Sequence, residues 1–148
     1  MTRPELACLR GLKLPVSDLP ASLRWYGQLF GFEVTLEFPD ADGVVRGVAG
    51  TVPGLEPTWL ALREDPAAAA GLAGFNPVVW GVPDRPDLQD WADHLDALGI
   101  AHSPQIEASI GWLVVFNDPD GIEHHLYTLT THGADHSDRP GYGRPVTP

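Results

Sequence analysis

Two hydrophobic rhythms run along the chain. Leu23, Tyr26, Leu29 and Phe30 recur at three- and four-residue spacing, which puts them on one face of a helix. The same spacing returns at Leu88, Trp91, Leu95 and Leu98. Each helical stretch is preceded by a short β-rich run, "LKLPV" and "VVWGV", ending in a Val-x-Asp whose Asp18 or Asp84 suits a helix cap. Each ends at a glycine, Gly31 or Gly99, suited to C-terminal capping. Three further β-rich runs follow each helix, near residues 32–38, 44–51 and 58–63, then 101–106, 111–117 and 122–130. Turn chemistry separates them, with "PDADG" in the first set and "NDPDG" in the second.

The two sets are one pattern used twice. When Val16 is aligned with Val82, Asp18 meets Asp84, Trp25 meets Trp91 and Leu29 meets Leu95 at one offset. The pattern predicts an α+β chain of two βαβββ modules, about residues 8–63 and 75–130, forming a single domain over 1–131. Residues 64–74, "EDPAAAAGLAG", read as a linker with a possible helical turn in its alanines. Residues 132–148 read as a Pro/Gly-rich flexible tail, loose or wrapped over a neighbour.

Composition narrows the function. The 148 residues carry a formal charge of -11, from nine basic against twenty acidic groups, which repels phosphate backbones and argues against nucleic-acid binding. No apolar run is long enough to span a membrane. The opening "MTRPELACLRGLKL" lacks a secretory-signal layout, and a single cysteine, Cys8, fits a reducing compartment, so a cytoplasmic protein is expected. Cys8 has no flanking base and reads as a small packed residue rather than a reactive thiol. No phosphate loop, nucleophile elbow, Cys-x-x-Cys or His-Glu-x-x-His motif occurs.

"VSDLPASLRWYGQLFGFEV", the later "VPD…W…L…LGI" and "VVFNDPDGIEHHLYT" resemble the vicinal oxygen chelate superfamily of glyoxalase I, extradiol dioxygenases, fosfomycin-resistance enzymes and bleomycin-resistance proteins. The resemblance covers about Leu9 to Thr130. It implies paired modules forming a curved mixed sheet around a cleft, in a homodimer. It also implies metal-ligand positions, and these fall on Gly11, Pro77 and His125. Gly11 and Pro77 offer no side-chain donor, whereas an open catalytic site needs about three protein ligands. Glu123 shares a strand face with His125, His102 is a conceivable third donor, and the adjacent His124 points to the opposite face. The expectation is therefore no metal and no cofactor.

What remains is a cleft without its ion. Strand parity places Leu9, Gly11 and Lys13, then Phe75, Pro77 and Val79, then Glu123, His125 and Tyr127, on its lining. Gly11 and Pro77 leave room in that floor. Trp25 and Trp91 fit the core, whereas Trp59 and Trp112, on strands, are candidates for stacking on a ligand. Lys13, the sole lysine, is either a snorkelling surface group or a buried amine paired across the sheet with Glu123 or His125.

The ligand-binding set is thus Gly11, Lys13, Trp59, Pro77, Trp112, His125 and Tyr127. The expected function is to sequester a bulky, partly aromatic small molecule in a dimeric cleft, as bleomycin-resistance-type proteins do in antibiotic resistance. One alternative is a metal-independent isomerase, cyclase or lyase using His125, Lys13 and Glu123 for proton transfer. Another is a metal-dependent glyoxalase- or dioxygenase-like enzyme with displaced ligands.

Overall fold

The computed structural model describes residues 2–146. The chain divides into two compact units, one running to Ala73 and including Pro119–Gly121, the other formed by Gly74–Asp118 and the residues from Ile122 onward. Each holds one open four-stranded mixed sheet, and the chain has three helices, so the class is α+β.

The first unit runs β1 (Gly11–Val16), α1 (Leu19–Phe30), β2 (Glu33–Pro39), β3 (Val45–Thr51), β4 (Trp59–Glu64) and α2 (Pro66–Leu72). Its strand order is β1-β4-β3-β2, with β1 parallel to β4 and the other pairs antiparallel. Helix α1 starts where Asp18 accepts a hydrogen bond from the Ala21 amide at 3.1 Å, and stops at Gly31, whose φ of 70° a side chain would strain. Tyr26 and Leu29 of α1 are buried with Leu14, Val16, Val48, Leu60 and Leu62 of the sheet. Each such side chain contributes on the order of 1.5–3 kcal/mol by leaving water. Strand β2 bulges beside β3, and at Gly50 a Cβ would collide with the Glu33 carbonyl, so only glycine allows that approach.

The second unit runs β5 (Val78–Val82), α3 (Arg85–Ala97), β6 (Ile106–Glu107), β7 (Trp112–Asn117) and β8 (Glu123–Thr128), in the order β5-β8-β7-β6. A capping box opens α3: the Asp84 side chain receives the Asp87 amide, and the Asp87 side chain receives the Asp84 amide at 3.1 Å. Val82, Leu88, Leu95, Val114, Phe116, Ile122 and Leu126 make the core.

Several expectations need correction. The strand expected over 101–106 shrinks to Ile106–Glu107 with an isolated bridge at His102. Pro104 lacks an amide hydrogen, and Ser103 Oγ takes the Val115 amide at 2.8 Å in place of a strand carbonyl. The alanine linker is a full helix, α2, capped by Asp65. Trp25 and Trp91 are half-buried rather than core, because Tyr26 and Ala92, one position on, take the inward places. Cys8 is exposed, not packed, and Leu9 precedes the first strand. The C-terminal segment touches its own unit: His132 Nε2 lies 2.8 Å from the Ala108 carbonyl, and His136 Nε2 lies 2.8 Å from Glu107.

Candidate functional site

In each unit one sheet face is buried beneath a helix and the other is open. Alternation sorts the side chains, and the ladder registers align them into rows. On the open face of the first sheet one row reads Leu36, Ala49, Ala61, Lys13 across β2, β3, β4 and β1. The next reads Phe38, Gly47, Arg63, Pro15, and Trp59 faces Gly11 beyond. Gly47, Ala49 and Ala61 are small, whereas Leu36 and Phe38 on edge strand β2, Lys13 on edge strand β1, and Trp59 and Arg63 on β4 are large. Leu36, Phe38 and Trp59 are 54%, 52% and 40% exposed. A cavity of about 360 Å³ lies here, lined among others by Lys13, Phe38, Gly47, Ala61 and Arg63.

Gly11 does not leave a vacant floor. A Cβ at that position would stand 2.8 Å from Cε3 of Trp59, because the indole lies across the bare backbone. The Arg10 guanidinium covers the same ring at 4.3 Å and donates to the Pro57 carbonyl at 2.8 Å. The small residue thus seats an aromatic plate.

At the cavity rim, Asp40 organises the β2–β3 turn. The Val44 amide foremost, then the Asp42 amide and Arg46, hold its carboxyl below the usual carboxylate range against the opposing effect of desolvation. Arg46 bridges Asp40 at 3.3 Å and Glu64 at 2.6 Å, which raises the guanidinium further. Glu64 is lowered chiefly by the Leu19 amide and then by Arg46, and so also secures the start of α1.

On the open face of the second sheet Val79, His125 and Val115 form one row, and Gly81, Tyr127 and Leu113 the next. His125 Nε2 lies 2.7 Å from Glu123 Oε1, and the Asn76 amide lies 3.5 Å from Nδ1. Asn76 offers Nδ1 a hydrogen, so the ring proton belongs on Nε2, facing the carboxylate. The Tyr127 hydroxyl accepts from the Ile110 and Gly111 amides at 3.1 and 3.3 Å, anchoring the loop before β7. A cavity of about 540 Å³ lies beside it, lined by Val79, Gly81, Ser109, Ile110, Tyr127, Thr128 and Leu129.

His124 turns the other way. It is fully buried, its ring meeting that of Trp80 edge to edge in nearly one plane and lying parallel to that of Phe116, at 6.1 and 5.3 Å between centroids. Nδ1 receives the Trp80 indole N–H at 2.9 Å, and Nε2 lies 3.8 Å from Asp118. Indole can only donate, so the proton of the neutral ring is on Nε2.

The expected residues therefore fall into separate groups. Gly11, Lys13 and Trp59 share the open face of the first sheet, whereas Glu123, His125 and Tyr127 share that of the second. Lys13 belongs to the first sheet and Glu123 to the second, so they are not neighbours across one sheet. Pro77 lies just before β5, outside the paired strands. Trp112 alternates with Leu113 onto the α3 side, where the Arg85 guanidinium covers its ring at 4.7 Å, so it is not with His125 and Tyr127. Among the described residues no three His, Cys, Asp or Glu side chains converge as a metal-binding group. Leu36, Phe38 and Arg63 were missed; parity counted outward from Trp59 would have found Arg63. No helix among the described residues is long and apolar enough to cross a membrane.

Residues 9–126 match the Glyoxalase/Bleomycin resistance protein/Dioxygenase superfamily. No curated protein matches the chain. Among solved structures it is similar to lactoylglutathione lyase from Agrobacterium tumefaciens, with 19% identity, 88% of this chain and 100% of that one covered, and a TM-score of 0.69. TnmS3, an antibiotic binding protein from Streptomyces sp. CB03234, has 20% identity, coverage of 85% and 98%, and a TM-score of 0.68. A glyoxylase/bleomycin resistance protein/dioxygenase domain from Frankia sp. EAN1pec has 22% identity, coverage of 84% and 98%, and a TM-score of 0.63. At these identities the likeness is one of fold.

Proposed function

The chain belongs to the Glyoxalase/Bleomycin resistance protein/Dioxygenase superfamily, and from that premise we propose that it binds and sequesters a bulky, partly aromatic small molecule. The observation that carries this reading is the open face of the first sheet, where Leu36, Phe38 and Trp59 stay exposed around a floor of Gly47, Ala49 and Ala61. Exposed aromatic margins around a small-residue floor suit a flat apolar body, which would cover them from water. The fold likeness to an antibiotic-binding protein agrees with this use of the scaffold. We further propose a homodimer. All seven residues of the edge strand β2 are exposed, which agrees with a partner covering that edge.

Tryptophan fluorescence tests the reading. A panel of aromatic antibiotics and metabolites is titrated into the wild type and into Trp59→Phe. Saturable quenching that is largely lost in the variant is expected. If no panel member quenches, or if the variant quenches as the wild type does, the first sheet is not the binding face. Light scattering on the eluted protein reads the oligomer directly.

A second reading has its own observation, the 2.7 Å contact between His125 and Glu123 on the open face of the second sheet. A carboxylate at this distance fixes the orientation of the imidazole, which a proton-transfer pair requires. Under this reading His125→Ala retains ligand binding and loses conversion.

A further inference from the structure

The geometry points to an anionic ligand: an acid group held between Lys13 and Arg63, with its apolar body lying over Ala61 and Gly47 against Phe38. This inference rests on the open face of the first sheet being the binding surface and goes beyond it by fixing the ligand's charge.

Lys13 and Arg63 sit on the same face of adjacent parallel strands. Arg63 pairs with Pro15, two residues beyond Lys13, so the two Cα atoms stand on the order of 8 Å apart. Both side chains are long enough to converge on one group, and both line the same cavity. Each is exposed. Among the described residues neither side chain makes a hydrogen bond or an ion pair, although the chain carries an excess of eleven negative charges. The neighbouring Arg46 shows the contrast, being tied to both Asp40 and Glu64. Asp40, the acidic residue of the cavity lining, has its carboxylate taken up by Arg46 and the Val44 and Asp42 amides, which leaves the two cations unneutralised.

Two like charges side by side on one sheet face repel, and an anion placed between them turns that repulsion into attraction. Arginine offers a carboxylate or sulfonate a planar two-point contact, and lysine adds a mobile point charge. The apolar surface at Phe38 and Ala61 then selects acids with an aromatic or aliphatic body over small inorganic anions. A diffuse acidic surface would discourage such ligands from binding elsewhere on the protein.

Two dyes with nearly the same body separate the charge from the rest. 8-Anilinonaphthalene-1-sulfonate carries the acid group, and N-phenyl-1-naphthylamine lacks it. Each is titrated into the wild type, Lys13→Met, Arg63→Met, the double variant and the charge-preserving Lys13→Arg, with near-ultraviolet circular dichroism verifying the fold of each. The sulfonate is expected to bind at least tenfold more tightly than the neutral dye, and to weaken as salt is raised. The double variant should lose tenfold or more in sulfonate affinity, change less than twofold for the neutral dye, and be matched by neither the wild type nor Lys13→Arg. Equal binding of the two dyes overturns the anion preference and leaves the wider binding reading standing. Sulfonate binding that ignores the double substitution places the acid group elsewhere and also overturns it. If neither dye binds, both the anion preference and the wider reading fall.

Discussion

Trp80 donates its indole N–H to Nδ1 of His124 at 2.9 Å, and the Phe116 ring lies nearly parallel to the same imidazole. A polar bond of this kind at the centre of a core specifies one arrangement of the strands that carry it. Trp80 lies on β5, His124 on β8 and Phe116 on β7, so the three rings tie three neighbouring strands. Trp80→Phe keeps an aromatic ring but removes the donor facing Nδ1. The expected cost is about 1–3 kcal/mol, read from the urea midpoint. The double variant with His124→Phe should lose less than the sum of the two single variants, because neither partner is then left unsatisfied. Strict additivity would mean that the bond contributes nothing specific.

The glycines give a prediction with two signs. Gly50 lies where any Cβ meets the Glu33 carbonyl, so Gly50→Ala must open the bulged β2–β3 pair and is expected to cost about 3 kcal/mol. Gly71 lies in α2 with open space around it, and Gly71→Ala should gain roughly 0.5–1 kcal/mol. Thermal midpoints of the two variants should therefore move in opposite directions. A neutral Gly50→Ala would show that the bulge relaxes freely.

His102 sets a pH dependence. Its Nδ1 faces the Ser103 carbonyl at 2.6 Å and its Nε2 faces Asp96 at 2.7 Å. Only the doubly protonated ring can donate to both acceptors. The Ser103 carbonyl foremost, opposed by partial desolvation and then helped by Asp96, raises its pKa above the ordinary 6.5. Because the folded value exceeds the unfolded one, the stabilisation is complete below about pH 6.5 and is lost as pH rises through the folded pKa. An NMR titration of the ring should show the upward shift. The stability difference between wild type and His102→Asn should shrink as the pH is raised through that range. A ring titrating at or below 6.5 would contradict this account.

Metal content is predicted from donor chemistry. Gly11 and Pro77 cannot coordinate, and His125 brings only Glu123 with it on its own face. Protein purified without a histidine tag should hold well under one equivalent of Zn, Ni, Fe or Mn, and chelator treatment should leave its thermal midpoint unchanged. A stoichiometric ion bound at His125 would require donors that the sequence reading did not identify.

Much of the fold was readable in advance because its signals are local. Asp18, Asp84, Gly31 and Gly99 bracket their helices, and a side chain's cap or a glycine's positive φ depends on only a few neighbouring residues. The failures have a common physical origin. Pro104 removed a donor from the expected sixth strand, and Ser103 Oγ, not a strand carbonyl, accepted the Val115 amide, which periodicity cannot register. Trp25 and Trp91 matched one another across the repeat, yet the smaller or neighbouring residues one position on took the inward places. The candidate site was half legible. Alternation put Lys13 with Gly11 and His125 with Glu123, but it could not assign a face to Trp112 without knowing the register of β7. It also could not show that Trp59 folds over Gly11, because that contact depends on which strand becomes β1's neighbour.

The indole plate over Gly11 makes two positions of the first sheet depend on one another. Any side chain at position 11 would need Trp59 to move, because its Cβ would stand 2.8 Å from Cε3 of the indole. The placement of the exposed indole on the first sheet therefore depends on position 11 staying bare.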